Sequence, residues 1–221
     1  MKVSERMSRN VITVDMNTSM TEAFKKLKEN NIRRLPVMDK GVLKGIITLT
    51  DLNQASPSPA TSLSVHELNY ILAKTKIKDL IPKNQRLITI KPDEYIETTA
   101  KIMRQNTISG LPVVDDDGKL VGIITETDIF DALVEILGVK KAHSRIDIYA
   151  EERIGSLAEI TGLIAAKNMN ILNAVAYFCE AKNKYKVILR LEELDCAEVV
   201  NELKEHGYEI ESVLVWEKPD K

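Results

Sequence analysis

"GIITETDIF" at residues 122–130 decides how this chain is read, because a near copy, "GIITLTDLN", stands at residues 45–53. Each copy is an apolar run, two threonines spaced by one residue, and an aspartate ahead of an apolar-periodic segment. Working outward, "VITV" at 11–14 matches "LITI" at 87–90 and "LPV" at 35–37 matches "LPV" at 111–113, both at an offset of 76, whereas the opening phrases are offset by 77. The extra residue falls in a turn, where "DKG" becomes "DDDG". A spacing held through three anchors and changed only in a turn marks a duplicated supersecondary unit.

Within each unit a β-branched run, Val11–Val14 or Leu87–Ile90, predicts a strand. Apolar residues at helical spacing follow, Met20, Ala23, Phe24 and Leu27 in one copy and Ile96, Ala100 and Met103 in the other, with Asn30 and Asn106 as helix ends. "LPVMD" and "LPVVD", an acidic-Gly turn, then "LKGIIT" and "LVGIIT" predict a hairpin. After Asp51 and Asp128 a helix is expected, capped by Asp51 with Gln54 and by Asp128 with Asp131. The unit is therefore β-α-β-β-α. Following the first copy, residues 53–63 include the Pro/Ser-rich "NQASPSPATS", a surface-loop composition, and Ser64 is placed to cap a helix over "VHELNYILAK". The second copy runs straight into "IFDALVEILG", closing at Gly138.

From residue 144 the pattern becomes β-α-β-β-α-β: "SRIDIYA", "SLAEITGLIAAKN", "ILNAVAYFC", "KYKVILRLE", "CAEVVNELKEHG" and "YEIESVLVW". That is the ferredoxin-like split βαβ order. Leu157, Ile160 and Ile164 are expected to face inward, with Ser156 and Glu159 as a capping box and a turn at Lys182 and Asn183. The fold class is α/β (α+β), with repeats at 1–76 and 77–140 and an appended domain at 144–217.

The chain has 221 residues, 44% hydrophobic and 29% charged, with a formal charge of −2. Such a composition supports packed cores and argues against general disorder. Near-neutrality offers no global attraction to nucleic acid or to an anionic membrane. No apolar stretch is long enough to span a bilayer, so a cytoplasmic protein is expected. Cys179 and Cys196 lack CxxC spacing, and His66, His143 and His206 are scattered, so no metal site is assigned. No nucleophile–base arrangement, HExxH or P-loop is present, and no catalytic residue is named.

The repeated unit, with "LPV" before a turn and "GIIT-x-T-D" after it, resembles the tandem cystathionine β-synthase (CBS) domain pair, or Bateman module. The resemblance implies an adenosine nucleotide of the AMP, ADP or ATP type held between the repeats as a regulatory ligand, with magnesium left open as a companion of its phosphates. It further implies that Thr13, Thr89 and the segment before and through "LPV" adjoin the ligand. Ile108, Ser109, Gly110, Leu111 and Pro112 are candidates for the nucleoside in the second copy, where a glycine lets backbone approach a flat ring. Arg33, Arg34 and Leu35 occupy the equivalent stretch of the first, and the two arginines are candidates for phosphate. Thr125, Thr127 and Asp128, and likewise Thr48, Thr50 and Asp51, have the chemistry to accept ribose hydroxyls and bond phosphate. A helix cap explains the same aspartates, and one carboxylate can do both.

"YAEERIGSLAEITGLIAAKNMNI" resembles the start of an ACT domain, with Ile154 where that family commonly has Pro. The resemblance implies an amino acid or small carboxylate at Ile154, Gly155, Ser156 and Leu157, opposite Asn173, in a seam formed when such domains pair edge to edge. A homodimer is therefore expected. Two CBS repeats followed by ACT resembles the acetoin utilisation protein B family, which implies a link to acetoin or acetate metabolism. The reading is a non-enzymatic sensor controlling an unidentified enzyme, with no nucleic-acid or membrane partner. The alternatives are a scaffold with an empty CBS pair, or a binder of another adenosyl ligand such as S-adenosylmethionine or NAD.

Overall fold

A computed structural model describes residues 1–58, 62–82, 85–139 and 141–217. Residues 59–61 of the Pro/Ser-rich insertion lie outside the described residues. The chain divides into two compact units, Met1–Ile129 and Phe130–Lys221.

In the first unit, β1 (Val14–Asp15), α1 (Met20–Glu29), β2 (Arg34–Asp39), β3 (Val42–Thr48) and α2 (Leu49–Ala55) make the first repeat. Ser19 caps α1 by accepting the Glu22 N–H on Oγ at 3.2 Å. Met20, Ala23 and Leu27 then bury one stripe of the helix against Leu35, Val37 and Ile47. β1 runs parallel to β2, and β2 antiparallel to β3. Lys40 and Gly41 both have positive φ (51° and 82°), the signature of a two-residue primed turn matching strand twist.

Helices α3 (Val65–Lys74) and α4 (Ile77–Leu80) follow. Ser64 caps α3 in a reciprocal box with Glu67, as its spacing predicts. The second repeat comprises α5 (Ile96–Asn106), β4 (Gly110–Val114), β5 (Leu120–Thr125) and α6 (Glu126–Ile136). Its hairpin closes differently: the Gly118 N–H donates to Asp115 O, and Asp115 N–H to Lys119 O, with Gly118 alone at φ +78°. A three-residue loop with one left-handed glycine replaces the two-residue turn. The one-residue change of offset is therefore a change of turn type.

The first strand of each repeat is shorter than expected. Val11–Val14 contributes only Val14 to β1, and Leu87–Ile90 only a parallel bridge from Ile90 to Val113. Val11 and Ile12 leave the ladder to line a cleft, described below.

Each repeat is completed by the segment preceding the other. Ile77 is fully buried among Val14, Leu35 and Ile47, and its N–H donates to Thr18 O at 3.0 Å. Conversely, Ile96 N–H donates to Met1 O, and Ser8 exchanges both backbone bonds with Ile123 at 2.9 and 3.0 Å. A cut at 76/77 would remove Ile77 from the core it fills.

The second unit contains β6 (His143–Ala150), α7 (Ser156–Ala166), β7 (Ile171–Cys179), β8 (Lys184–Leu191), α8 (Ala197–Glu205) and β9 (Glu209–Trp216). Strand order is β7-β8-β6-β9, with every neighbour antiparallel. This is the split βαβ arrangement. Ile146, Ile148, Leu189 and Leu191 from the sheet bury Ile160, Ile164, Val199 and Leu203 from the two helices. Leu157, expected inside, is 44% exposed. Nor does the Ser156–Glu159 box form, because Gly155 at φ +90° takes the cap position and makes Ser156 the first helical residue. Ser156 Oγ donates instead to Glu151 O and Arg153 O, and Glu159 pairs with Arg153. Cys196 is buried, Cys179 half-buried, and both thiols are free. No helix among the described residues is long and apolar enough to cross a membrane.

Candidate functional site

The repeated phrase starts its helices on threonine, three residues before the expected cap. Thr48 ends β3 still extended, so its Oγ1 accepts the Asp51 N–H at 3.2 Å. Asp51 Oδ2 takes the Thr48 N–H and hydroxyl at 2.8 and 2.7 Å. In the second copy Asp128 Oδ2 takes the Thr125 N–H and hydroxyl, both at 2.7 Å. Asp51 is thus the third helical residue of a reciprocal box, and Asp128, third in α6, reaches back to Thr125 in the same way, so the Asp51–Gln54 and Asp128–Asp131 assignments are corrected. A β-branched hydroxyl that finishes a strand and caps the next helix explains why the phrase reads T-x-T-D.

A cleft of about 480 Å³ in the first unit gathers Arg33, Arg34, Ser109, Thr125, Thr127 and Asp128 from the predicted set. Ser8, Asn10, Val11, Ile12, Asn31, Ile32, Ile123 and Glu126 complete its lining. Composition gave no reason to place Ser8 and Asn10 there, since their segment reaches the cleft only by pairing with Ile123. Other candidates lie elsewhere. Leu35 and Leu111 are fully buried core residues, while Pro112 and Gly110 are also buried. Thr13, Thr89 and Ile108 are half-buried outside this lining, and Thr48, Thr50 and Asp51 sit at the start of α2.

Asp128 spends one oxygen on Thr125. A carboxylate has about four acceptor positions, so Oδ1 keeps capacity for a ligand hydroxyl. Arg33 is exposed at the cleft, and its side chain makes no hydrogen bond among the described residues. Arg34 is committed: its Nη2 donates to Ser109 Oγ at 2.7 Å across a sequence separation of 75. A Cβ built at Gly110 would lie 1.8 Å from Arg34 Nη1. The glycine therefore admits the guanidinium, where a ligand ring was expected. Burial pushes the Arg34 pKa down, Arg33 adds to that, and the Glu126 and Asp128 carboxylates oppose it. Gly110→Ala should displace Arg34 from Ser109 and cost about 1 kcal/mol. An unchanged urea midpoint would show that the guanidinium moves aside freely.

In the second unit a hollow of about 400 Å³ is lined by Arg153, Ile154, Ser156 and Leu157, with Ala176 and Tyr185 across it. Ile154 is fully exposed. Asn173 is not in this lining; its amide donates to Ile136 O at 2.6 Å and its oxygen faces Arg190 Nη1 at 3.4 Å. No group of three or more His, Cys, Asp or Glu able to hold a metal occurs among the described residues.

Comparison with known proteins gives a match of residues 3–58 and 77–135, just over half the chain, to the CBS domain model. A CBS domain-containing protein of Dictyostelium discoideum is 36% identical over 136 residues, covering 61% of this chain and 92% of that one. Among solved structures, the CBS domain pair of protein MJ0100 in complex with 5′-methylthioadenosine and S-adenosyl-L-methionine is 34% identical. It covers 61% of this chain and 97% of its own, with a TM-score of 0.50. The CBS-pair protein CBSX2 of Arabidopsis thaliana is 26% identical, covering 61% and 95%, with a TM-score of 0.52.

Proposed function

The chain belongs to the CBS domain family, and on that premise we propose that its repeat pair is a regulatory sensor for an adenosine-type ligand. The observation that carries this reading is the meeting of Asp128, Thr127 and Ser109 from one repeat with Arg33 from the other in a single cleft. The ribose hydroxyls donate to Asp128 Oδ1, apolar Val11, Ile12 and Ile123 flank the base, and Arg33 answers a phosphate. Similarity to a pair solved with two adenosyl ligands supports the same ligand class. The ligand acts by binding one arrangement of the pair more tightly than another, which is what lets a sensor bias an enzyme it contacts.

In this reading residues 144–217 of the second unit are an ACT domain. Its β-α-β-β-α-β order and the hollow beside Ile154 and Leu157 support an amino acid or small carboxylate there. Strand β9 is a sheet edge with exposed Leu214, Val215 and Trp216, which favours pairing of two copies. The protein then acts in the cytoplasm as a homodimer, and the resemblance of its domain order to the acetoin utilisation protein B family is the support for a role in acetoin or acetate utilisation. A scaffold with an empty pair is the second reading, favoured by Arg34 filling the space beside Gly110.

Calorimetric titration with AMP, ATP, 5′-methylthioadenosine, S-adenosylmethionine, NAD and amino acids, with native mass spectrometry of the same samples, separates these readings. Asp128→Ala should lower adenosine-ligand affinity by about tenfold or more and stability by about 1 kcal/mol. Arg33→Ala should weaken AMP and spare 5′-methylthioadenosine. Unaltered affinity in Asp128→Ala would leave that residue as a cap alone, and no binding of any adenosine compound would favour the scaffold.

A further inference from the structure

The two copies of the opening phrase differ at their centre: "GIITETD" has Glu126 where "GIITLTD" has Leu49. Glu126 begins α6, an 11-residue helix, and lines the cleft with Arg33, Arg34 and Asp128. Its N–H donates to Ser109 O at 3.2 Å, which fixes it at the end of the ladder beside the residue that Arg34 grips.

The start of a helix ordinarily favours a phosphate, because free N–H groups and the dipole present positive potential. Here the first turn of α6 already holds two carboxylates, Glu126 and Asp128. The two lining arginines match them in number, and Arg34 is bonded to Ser109 and packed over Gly110. Arg33, whose side chain has no hydrogen-bond partner among the described residues, is the arginine open to a phosphate, while Arg34 already faces Ser109 and both carboxylates. A monophosphate finds a partner, while each further phosphate meets carboxylate.

We infer that Glu126 makes this cleft select adenosyl ligands with at most one phosphate and reject di- and triphosphates. The inference rests on the adenosine reading above and adds its selectivity. Leu49 at the equivalent position of the other copy carries no such charge, so the discrimination belongs to one half of the pair.

The test is calorimetric titration of the full chain, wild type, Glu126→Gln and Glu126→Leu, with 5′-methylthioadenosine, AMP and ATP in magnesium-free, low-salt buffer. Wild type should bind ATP at least about tenfold more weakly than AMP. Both variants should bring ATP to within about threefold of AMP while 5′-methylthioadenosine affinity stays level. Thermal melts confirm that the variants are folded, and two different replacements guard against failure of either. ATP binding to wild type as tightly as AMP, or a gap that survives both substitutions, overturns the inference while leaving the adenosine reading intact. Absence of binding by all three ligands overturns that reading and the inference with it.

Discussion

Replacing Asp147 by alanine should destabilise the second unit by about 3 kcal/mol. The carboxylate lies on β6 with its side chain 4% exposed, and it accepts Arg145 Nε at 2.6 Å and Arg145 Nη2 at 2.9 Å. Lys186 from β8 reaches it at 3.2 Å and also pairs with Glu211, which accepts the Tyr149 hydroxyl at 2.7 Å. Removing the acid strands Arg145 on a largely enclosed face and leaves Lys186 with Glu211 alone, and that penalty exceeds the loss of the contacts themselves. Urea unfolding followed by Trp216, the sole tryptophan and part of β9, reports on this unit. An unmoved transition would mean that Arg145 and Lys186 simply turn to solvent.

Burial opposes ionisation of Asp147, but hydrogen bonds from Arg145 and Lys186 outweigh it and hold the carboxyl below its ordinary value. A lowered acid pKa contributes stability that is full above the unfolded value of about 4 and is lost as pH falls through the folded one. The acid limb of the stability curve should therefore flatten in Asp147→Asn. Tyr149 has the opposite sign: its bond to Glu211 pushes it up to about 12. Its contribution is complete below the ordinary tyrosine value of about 10 and disappears as pH rises through 12.

Leu35→Ala and Leu111→Ala should each cost about 2–5 kcal/mol. Both are fully buried, each in the central "LPV" of its repeat, opposite Ile47 and Ile124 across the hairpins. Truncation leaves a cavity that the antiparallel pair cannot close without shifting register. The loss should appear in denaturant midpoints, with adenosine-ligand affinity of the folded fraction unchanged. A reduced affinity at full stability would restore them as ligand contacts.

Most of the secondary structure was legible because its signals are local. The two hairpin turns, the Ser64 cap, the left-handed Gly138 after α6 and each strand or helix of the second unit arise within a few residues, and the repeat offset shows the same local signals twice. Cap identity was misread by three residues because threonine and aspartate both cap well, and only the extended backbone at Thr48 and the Thr125–Asp128 hydrogen bonds separate them. Gly110 misled for a related reason. Gly110 is small because Arg34 lies over it, Gly45 because Gln85 side-chain atoms approach, and Gly122 because Met7 does. Gln85 even bonds the Ile46 backbone at 3.3 and 3.1 Å, as a neighbouring strand would.

By itself the sequence determined that this protein is a duplicated β-α-β-β-α unit joined to a β-α-β-β-α-β unit, and it named the residue types a nucleotide cleft needs. Periodicity, turn residues and an offset that shifts only in one turn are enough for that: the first two reflect hydrogen bonding or burial within an element or between neighbours, and the third shows the unit twice. Only the tertiary structure decided which of those residues meet: Met1–Ser8 beside the second repeat, Ile77 inside the first, and Arg34 on Ser109. Such contacts join residues far apart in the chain, and their partners are selected by the packing of whole elements rather than by any pattern along the sequence.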